Sequence, residues 1–207
     1  MSRAAARKRS PVACVLLAAG GSQRLGQPKQ LVRHRTRPLL LHALEAAHSA
    51  LPNSPLIVVL GAHALRLRLV LRRAGRGAIA VRNSRWGDGL AGSLQTGLAA
   101  APPGTRAILV LLSDQPQVGA RALLRLVRAW RRRPGLPAAA AYLDRAGVPA
   151  ILPRRSWPAL RALRGDSGAR ALLRDTAALT LVAMPEAVLD IDTPADLAKL
   201  KALSSRS

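Results

Sequence analysis

Six consecutive apolar residues, Val12 to Leu17, run without a polar interruption into the loop Leu17-Ala18-Ala19-Gly20-Gly21-Ser22-Gln23-Arg24-Leu25-Gly26-Gln27-Pro28-Lys29. A β-branched and apolar run of that length, with no polar residue at alternate positions, describes a strand buried on both faces. Such a strand needs helices packed above and below it. That requirement excludes a one-sided antiparallel sheet and points to an α/β chain whose first strand ends at a glycine-rich turn.

The rest of the chain repeats the alternation. Pro38 starts a helix whose stripe is Leu39, Leu40, Leu41, Leu44 and Ala47, and Pro55 to Leu60 is a second buried strand. His63 to Arg73 mixes leucine and arginine as an amphipathic helix does and is closed by Gly75 and Gly77; Ala78 to Arg82 follows as a short strand. Gly89 to Ala101 has helical pattern, Pro102-Pro103-Gly104 breaks it, and Ala107 to Leu112 is the strongest strand in the chain. Gly119 to Arg133 sets Leu123, Leu124, Val127 and Trp130 on one helical face and arginines on the other. Between Leu136 and Pro153, prolines and glycines divide short apolar runs, as in a hairpin or a small sheet extension. Helices near Ser156 to Leu163 and Gly168 to Arg174, a strand near Leu179 to Ala183, and a last helix opened by Pro194 complete the pattern. The expectation is a doubly wound, mostly parallel, Rossmann-like sheet in one domain over residues 11–207, after a disordered basic arm over residues 1–10.

Charge bears on partners. The chain has 33 Lys+Arg against 10 Asp+Glu, a net charge of +23, which raises the question of nucleic acid. Only Lys8, Lys29, Lys199 and Lys201 are lysines, and the arginines are spread through almost every segment instead of forming one stripe. The chain has no Phe, one Tyr and three Trp, and none of them interleaves with a basic run to stack on bases. The basic surface is therefore read as solvated, and specific nucleic-acid binding is not expected. A single cysteine, Cys14, excludes an internal disulfide or a thiolate zinc centre and fits a reducing cytoplasm. The apolar run near the N-terminus is far short of the about 20 residues that span a bilayer, so no membrane association is expected. His34, His42, His48 and His63 share no metal spacing and are read as structural.

In open α/β sheets ligands sit outside the carboxyl ends of the strands, so the loop after the first strand is the leading site candidate. Gly20, Gly21 and Gly26 let backbone amides approach an anion, while Arg24 and Lys29 add positive charge suited to phosphate. The loop is not G-x-G-x-x-G. Gly21 and Gly26 have P-loop spacing, but Gln27-Pro28-Lys29 breaks the Gly-Lys-Ser/Thr that a P-loop requires.

The string L-A-A-G-x-S-x-R-x-G-x-x-K-x-L, complete from Leu17 to Leu31, resembles the signature loop of nucleotidyltransferases, and within them the molybdenum cofactor guanylyl- and cytidylyltransferase family. Four later segments match in order. Asn83 to Leu98 is similar to N-x-x-W-x-x-G…S-L-x-x-G; Ser113-Asp114-Gln115-Pro116 places an acid after the strongest strand. Gly147-Val148-Pro149-Ala150-Ile151-Leu152 with Gly165-Asp166-Ser167-Gly168-Ala169-Arg170 resembles the acceptor-side elements, and Asp190-Ile191-Asp192-Thr193-Pro194-Ala195-Asp196-Leu197 the closing D-x-D-T-P-x-D-L.

The resemblance implies roles residue by residue. Leu17, Ala18, Ala19, Gly20, Gly21, Ser22, Arg24, Gly26 and Lys29 would bind nucleotide, joined by Asn83, Gly87, Asp88 and Ser93. Arg24, Lys29 and Asp114 would be catalytic, and Asp114 with Asp192 would hold Mg²⁺, with Asp190 in reserve. Pro149, Asp166, Gly168 and Arg170 would bind the acceptor. On residue chemistry alone, Asp166 or Ser167 equally suits an ordinary helix cap, and Trp86 beside a glycine turn suits packing more than base contact. Asp196 suits a helix N-terminus.

The implied reaction is attack of an acceptor phosphate oxygen on the α-phosphate of a nucleoside triphosphate, with pyrophosphate leaving. Ala19 in L-A-A-G, the Asp114-Gln115-Pro116 triplet and G-V-P-A-I-L favour the cytidylyl branch, hence CTP, with molybdenum-bound molybdopterin as acceptor and a molybdoenzyme as recipient of the product. Fold and loop leave open another phosphorylated acceptor, such as a sugar phosphate, phosphoalcohol or phosphonate. Two noncatalytic readings also stand at this level: a polyanion-binding module, and a chaperone that holds the cofactor without consuming nucleotide.

Overall fold

A computed structural model describes residues 12–75 and 77–204; the basic arm expected over residues 1–10 lies outside them. In chain order the elements are β1 (Val12–Ala18), β2 (Arg33–His34), β3 (Arg37–Pro38), α1 (Leu39–Ala50), β4 (Leu56–Leu60), α2 (Ala64–Ala74), β5 (Ile79–Arg82), α3 (Leu90–Ala99), β6 (Ala107–Leu112), α4 (Ala120–Arg132), β7 (Ala138–Tyr142), β8 (Arg145–Pro153), α5 (Trp157–Ala162), α6 (Ala169–Arg174), β9 (Thr180–Ala183) and α7 (Pro194–Ser204). Seven strands form one sheet in the order β5-β4-β1-β6-β8-β7-β9. β1 pairs in parallel with both β4 and β6, β8 runs antiparallel to β6 and β7, and β9 returns parallel to β7. The fold is thus the Rossmann-like α/β sheet that the alternation predicts. The hairpin of β7 and β8 extends the main sheet, with β8 beside β6.

Every residue of β1 is buried, and its alternating side chains feed two separate cores. Val12, Cys14, Leu16 and Ala18 join the layer made with α1, α2 and α4; Ala13, Val15 and Leu17 join the layer made with α3, α5 and α6. α3 packs closely on the sheet at Gly97, where an added Cβ would lie 2.3 Å from Val15 and 3.0 Å from Val59. A third, smaller cluster matters most for the site. Leu25 and Val32 of the glycine-rich loop region pack with Leu39 of α1, Ile191 and Leu200 of α7. This contact brings the segment around Asp192 against the first loop.

Two features depart from the sequence expectation. Residues 33–38 form a two-stranded ribbon, β2 with β3, whose turn holds Arg35 at φ 54°. Alternation along a strand would set Asp190 and Asp192 on one face, but the segment Asp190–Asp192 is irregular. No helix among the described residues is long and apolar enough to cross a membrane.

Candidate active site

The chain winds outward from β1 through β4 to β5 and then crosses through α3 to β6 on the other side of β1, and a crevice opens at this switch point at the carboxyl ends of the strands. It is a cleft of about 680 Å³. Its lining includes Leu17, Ala18, Ala19, Gly20, Gly21, Ser22, Arg24 and Lys29 from the first loop. From later segments come Gly87, Ser93, Asp114 and Asp192. All of these except Leu17 and Ala18, which end β1, reach the site from a loop, turn or helix end placed by the sheet.

The first loop is held by its own chemistry. Ser22 adopts φ 55° and its Oγ accepts the Lys29 backbone N–H at 3.0 Å, while Gly26 supplies a second left-handed turn at φ 71°. Gln30, 1% exposed, donates from Nε2 to the carbonyls of Ala18 at 3.3 Å and Gly20 at 3.0 Å. Those bonds turn the loop carbonyls inward and away from the cleft, so that an anion there meets N–H groups. Sequence reasoning missed Gln30, although an amide in the G-x-x-K-Q-L string was the available signal.

Lys29 is the electrostatic centre. Its ammonium contacts Asp114 and lies 2.7 Å from Asp192 Oδ1. Burial pulls the Lys29 pKa down, but the charge of Asp114 and the hydrogen bonds to both carboxylates more than offset it, so the group is held above its ordinary value. Arg24, largely exposed, reaches Asp192 Oδ2 at 3.1 Å. Two backbone devices set the acids. Ile191 N–H donates to the Asp114 carbonyl at 3.0 Å, which docks the C-terminal segment on the end of β6. Thr193 and Asp196 then form a reciprocal cap at the start of α7: Asp196 Oδ2 accepts from Thr193 N at 3.0 Å, and Thr193 Oγ1 accepts from Asp196 N at 3.3 Å. Asp196 therefore serves the helix N-terminus, as its place in the sequence suggests.

Asp190 is half-buried beside this group. Burial first, and the neighbouring charge of Asp114 second, push its carboxyl up to about 6. One oxygen of Asp114 and one of Asp190 are buried with no hydrogen-bond partner. The unshared oxygen of Asp114, which lines the cleft, suits a hard cation that takes oxygen ligands. Among the described residues no cluster of three or more His, Cys, Asp or Glu forms a complete metal cage, so Asp114 and Asp192, the acids beside Lys29 on the cleft wall, would share a cation with substrate oxygens, the usual manner for Mg²⁺.

The remaining expected residues divide. Asn83 is buried and does not line the cleft; its Nδ2 donates to Ser93 Oγ at 3.0 Å and so aims Ser93 at it. Asp88 is turned away onto Arg85 at 2.6 Å. Gly26 shapes the loop without reaching the cleft wall. Trp86 does line the cleft while packing on the glycine loop, since a Cβ at Gly21 would stand 3.1 Å from its ring.

A second cavity of about 710 Å³ adjoins the first and shares Leu17, Leu90, Leu112 and Asp166 with it. Gly168 and Arg170 line it, with Arg145 and Arg174, which sequence reasoning did not select. Pro149 is buried in β8 and only its neighbour Val148 reaches the cavity wall. The α6 helix is six residues long, so positive charge in this cavity comes from guanidinium groups more than from helix amides.

Residues 14–181 match the family model for the MobA-like NTP transferase domain. No curated protein matches the chain. Among solved structures, Rv0371c from Mycobacterium tuberculosis H37Rv is 32% identical, with a TM-score of 0.79 over 91% of this chain and 96% of that one. The Rv0371c complex with manganese is 29% identical, with a TM-score of 0.74 over 93% of this chain and 98% of that one. Molybdopterin-guanine dinucleotide biosynthesis protein A from Archaeoglobus fulgidus, 16% identical, shares the fold with a TM-score of 0.69 over 94% of this chain and 100% of that one.

Proposed function

This chain belongs to the MobA-like NTP transferase domain family, and we propose that it transfers CMP from CTP to molybdenum-bound molybdopterin, releasing pyrophosphate. The observation that carries the reading is Lys29 set between Asp114 and Asp192 at the floor of a glycine-lined cleft. Cationic and anionic groups side by side in this way suit a triphosphate together with a divalent cation. The branch-specific residues Ala19 and Asp114-Gln115-Pro116 support CTP over GTP.

In this scheme the loop amides at Gly20 to Ser22 hold the phosphates, with Arg24 and Lys29 supplying charge. Ser93, aimed by Asn83, faces the base. The acceptor lies in the second cavity with Asp166, Gly168 and Arg170 on its wall. An acceptor phosphate oxygen then attacks the α-phosphorus in line, the bond from that phosphorus to the bridging oxygen breaks, and pyrophosphate departs with the electron pair. Mg²⁺ held by Asp114 and Asp192 would supply charge neutralisation. The attacking oxygen is already anionic, so the protein needs no general base; its contribution is positioning and electrostatic stabilisation.

The test is pyrophosphate release from CTP, GTP, ATP and UTP with Mg²⁺ and molybdenum-loaded molybdopterin, for the unmodified chain and Asp114→Ala. CTP-selective release that the substitution abolishes is the expected result. Binding of CTP by folded protein without turnover would remove molybdopterin as the acceptor and favour another phosphorylated metabolite. Absence of nucleotide binding would leave a noncatalytic role.

A further inference from the structure

Arg170 projects from α6 onto the wall of the second cavity, and its surroundings are unusual for an exposed arginine. No carboxylate pairs with it among the described residues; its one side-chain hydrogen bond runs from Nη2 to the hydroxyl of Tyr142 at 3.4 Å. Arg174, on the same wall, is paired with Asp175 at 3.2 Å and so is partly neutralised. Arg170 thus keeps its full charge while being tethered by a neutral group.

The tether is itself fixed from within the protein. Tyr142 ends β7 with its side chain buried, and its hydroxyl donates its single hydrogen to the Val148 carbonyl at 3.2 Å, leaving lone pairs toward Arg170. The same carbonyl accepts Gln115 Nε2 at 3.3 Å, and that amide also donates to Ala187 at 3.2 Å. Gln115 follows Asp114 directly in the chain. A buried path therefore leads from the end of β6, through Gln115, the Val148 carbonyl and the Tyr142 hydroxyl, to the guanidinium in the cavity. Gly147 makes room for it: a Cβ there would lie 2.5 Å from the Tyr142 oxygen.

We propose that Tyr142 is a positioning residue whose hydroxyl presets Arg170 to receive the anionic group of the acceptor. The inference rests on the reading of the second cavity as the acceptor site. Its physical basis is preorganisation. A free arginine side chain loses rotamer freedom each time it binds an anion, and a guanidinium already held by a neutral oxygen loses less without giving up charge. An aspartate in the place of Tyr142 would hold Arg170 more firmly but would neutralise it.

The experiment is Tyr142→Phe, which keeps the buried ring and removes one oxygen, compared with Arg170→Ala and with the double variant. Pyrophosphate release is followed with CTP and molybdenum-loaded molybdopterin. Tyr142→Phe is expected to raise the acceptor KM about three- to tenfold, the worth of one hydrogen bond, with the CTP KM and kcat within about twofold of the parent. Arg170→Ala is expected to raise it further, and Tyr142→Phe to add nothing in the Arg170→Ala background. In ¹⁵N-labelled protein free of ligands, the Arg170 Nε–H order parameter is expected to fall in Tyr142→Phe, a readout that does not depend on knowing the acceptor. An unchanged order parameter, or an unchanged acceptor KM in Tyr142→Phe while Arg170→Ala raises it, overturns the positioning role and leaves the cavity assignment standing. A lowered order parameter with an acceptor KM that Arg170→Ala does not move upholds the tether and overturns its part in acceptor binding, together with the cavity assignment.

Discussion

The ammonium of Lys29 lies 2.7 Å from Asp192 and also touches Asp114, so one cation joins the end of β6 to the segment that precedes α7. The same two carboxylates are the ones offered to a metal. Lysine and a divalent cation are therefore competitors for them, until a triphosphate draws the ammonium to its own oxygens. Lys29→Gln separates the two roles. It is expected to lower kcat/KM by about 10²-fold through loss of charge at the leaving phosphates, yet to tighten nucleotide-free Mn²⁺ binding, read by electron paramagnetic resonance of free Mn²⁺. Weaker Mn²⁺ binding in this variant would mean that Lys29 holds the acids in place for metal and does not compete with it.

Asp190 gives a pH signature. Its carboxyl is pushed from 3.8 up to about 6 by burial and then by Asp114. Below about pH 4 it is protonated in both native and unfolded chains and has no effect. Between about pH 4 and pH 6 the unfolded chain gives up the proton first, so stability falls as pH rises, and above pH 6 the penalty is constant. After allowance for partial solvent screening the penalty is about 1–2 kcal/mol. Urea unfolding in EDTA at pH 4 and pH 7.5 should show Asp190→Asn gaining that much relative to the parent at the higher pH only. An equal difference at both pH values would show that the effect is not ionisation.

Cys14 sits in mid-β1 with 1% exposure, and burial pushes its thiol up to about 12. The thiolate is the reactive form, so a thiol reagent at pH 8 should label it only as fast as the sheet opens. Labelling is expected to be slow in buffer and complete at once in denaturing urea. The pH consequence follows the same sign as for Asp190: above about pH 9 the unfolded thiol ionises and the native one does not, costing about 1.4 kcal/mol per pH unit. Rapid native-state labelling would mean that β1 is far less protected than its two-sided packing requires.

How much of this was readable in advance varies with the kind of contact. β1, β4 and β6 announce themselves because a strand buried on both faces cannot contain a polar residue. The loop from Leu17 to Lys29 and the acids Asp114 and Asp192 were legible as motifs, and folding brings them into one cleft. The β2–β3 ribbon was not, since its turn places an arginine, Arg35, at positive φ where glycine or asparagine would have been the signal. Asn83 and Asp88 belong to one motif, yet one braces Ser93 and the other pairs outward with Arg85, a distinction that depends on which way a turn rotates. Tyr142 had no signal at all, because its role depends on Arg170, Val148 and Gln115 meeting across three elements.

Gly89 tests whether the two cavities are built as one. It has φ +109°, and a Cβ there would stand 2.2 Å from the Gly165 carbonyl carbon and 2.7 Å from the Asp166 nitrogen. The turn of residues 164–168 is drawn onto α3 from several sides: Ala91 N–H donates to Gly165 O at 3.0 Å, and Gln95 Nε2 reaches the carbonyls of Leu160, Arg161 and Leu163 at 3.0 to 3.3 Å. Asp166, carried by that turn, lines both cavities. Gly89→Ala must therefore displace the turn, and it combines a steric clash with an unfavourable φ. A loss of about 1–3 kcal/mol in urea unfolding is expected, with KM raised for nucleotide and acceptor together. Gly87→Ala, two residues earlier, meets nothing within 4 Å at a glycine without positive φ, so its stability should stay within about 0.5 kcal/mol of the parent. If Gly89→Ala raises only one of the two KM values, the turn serves one cavity and the shared position of Asp166 has no bearing on the other.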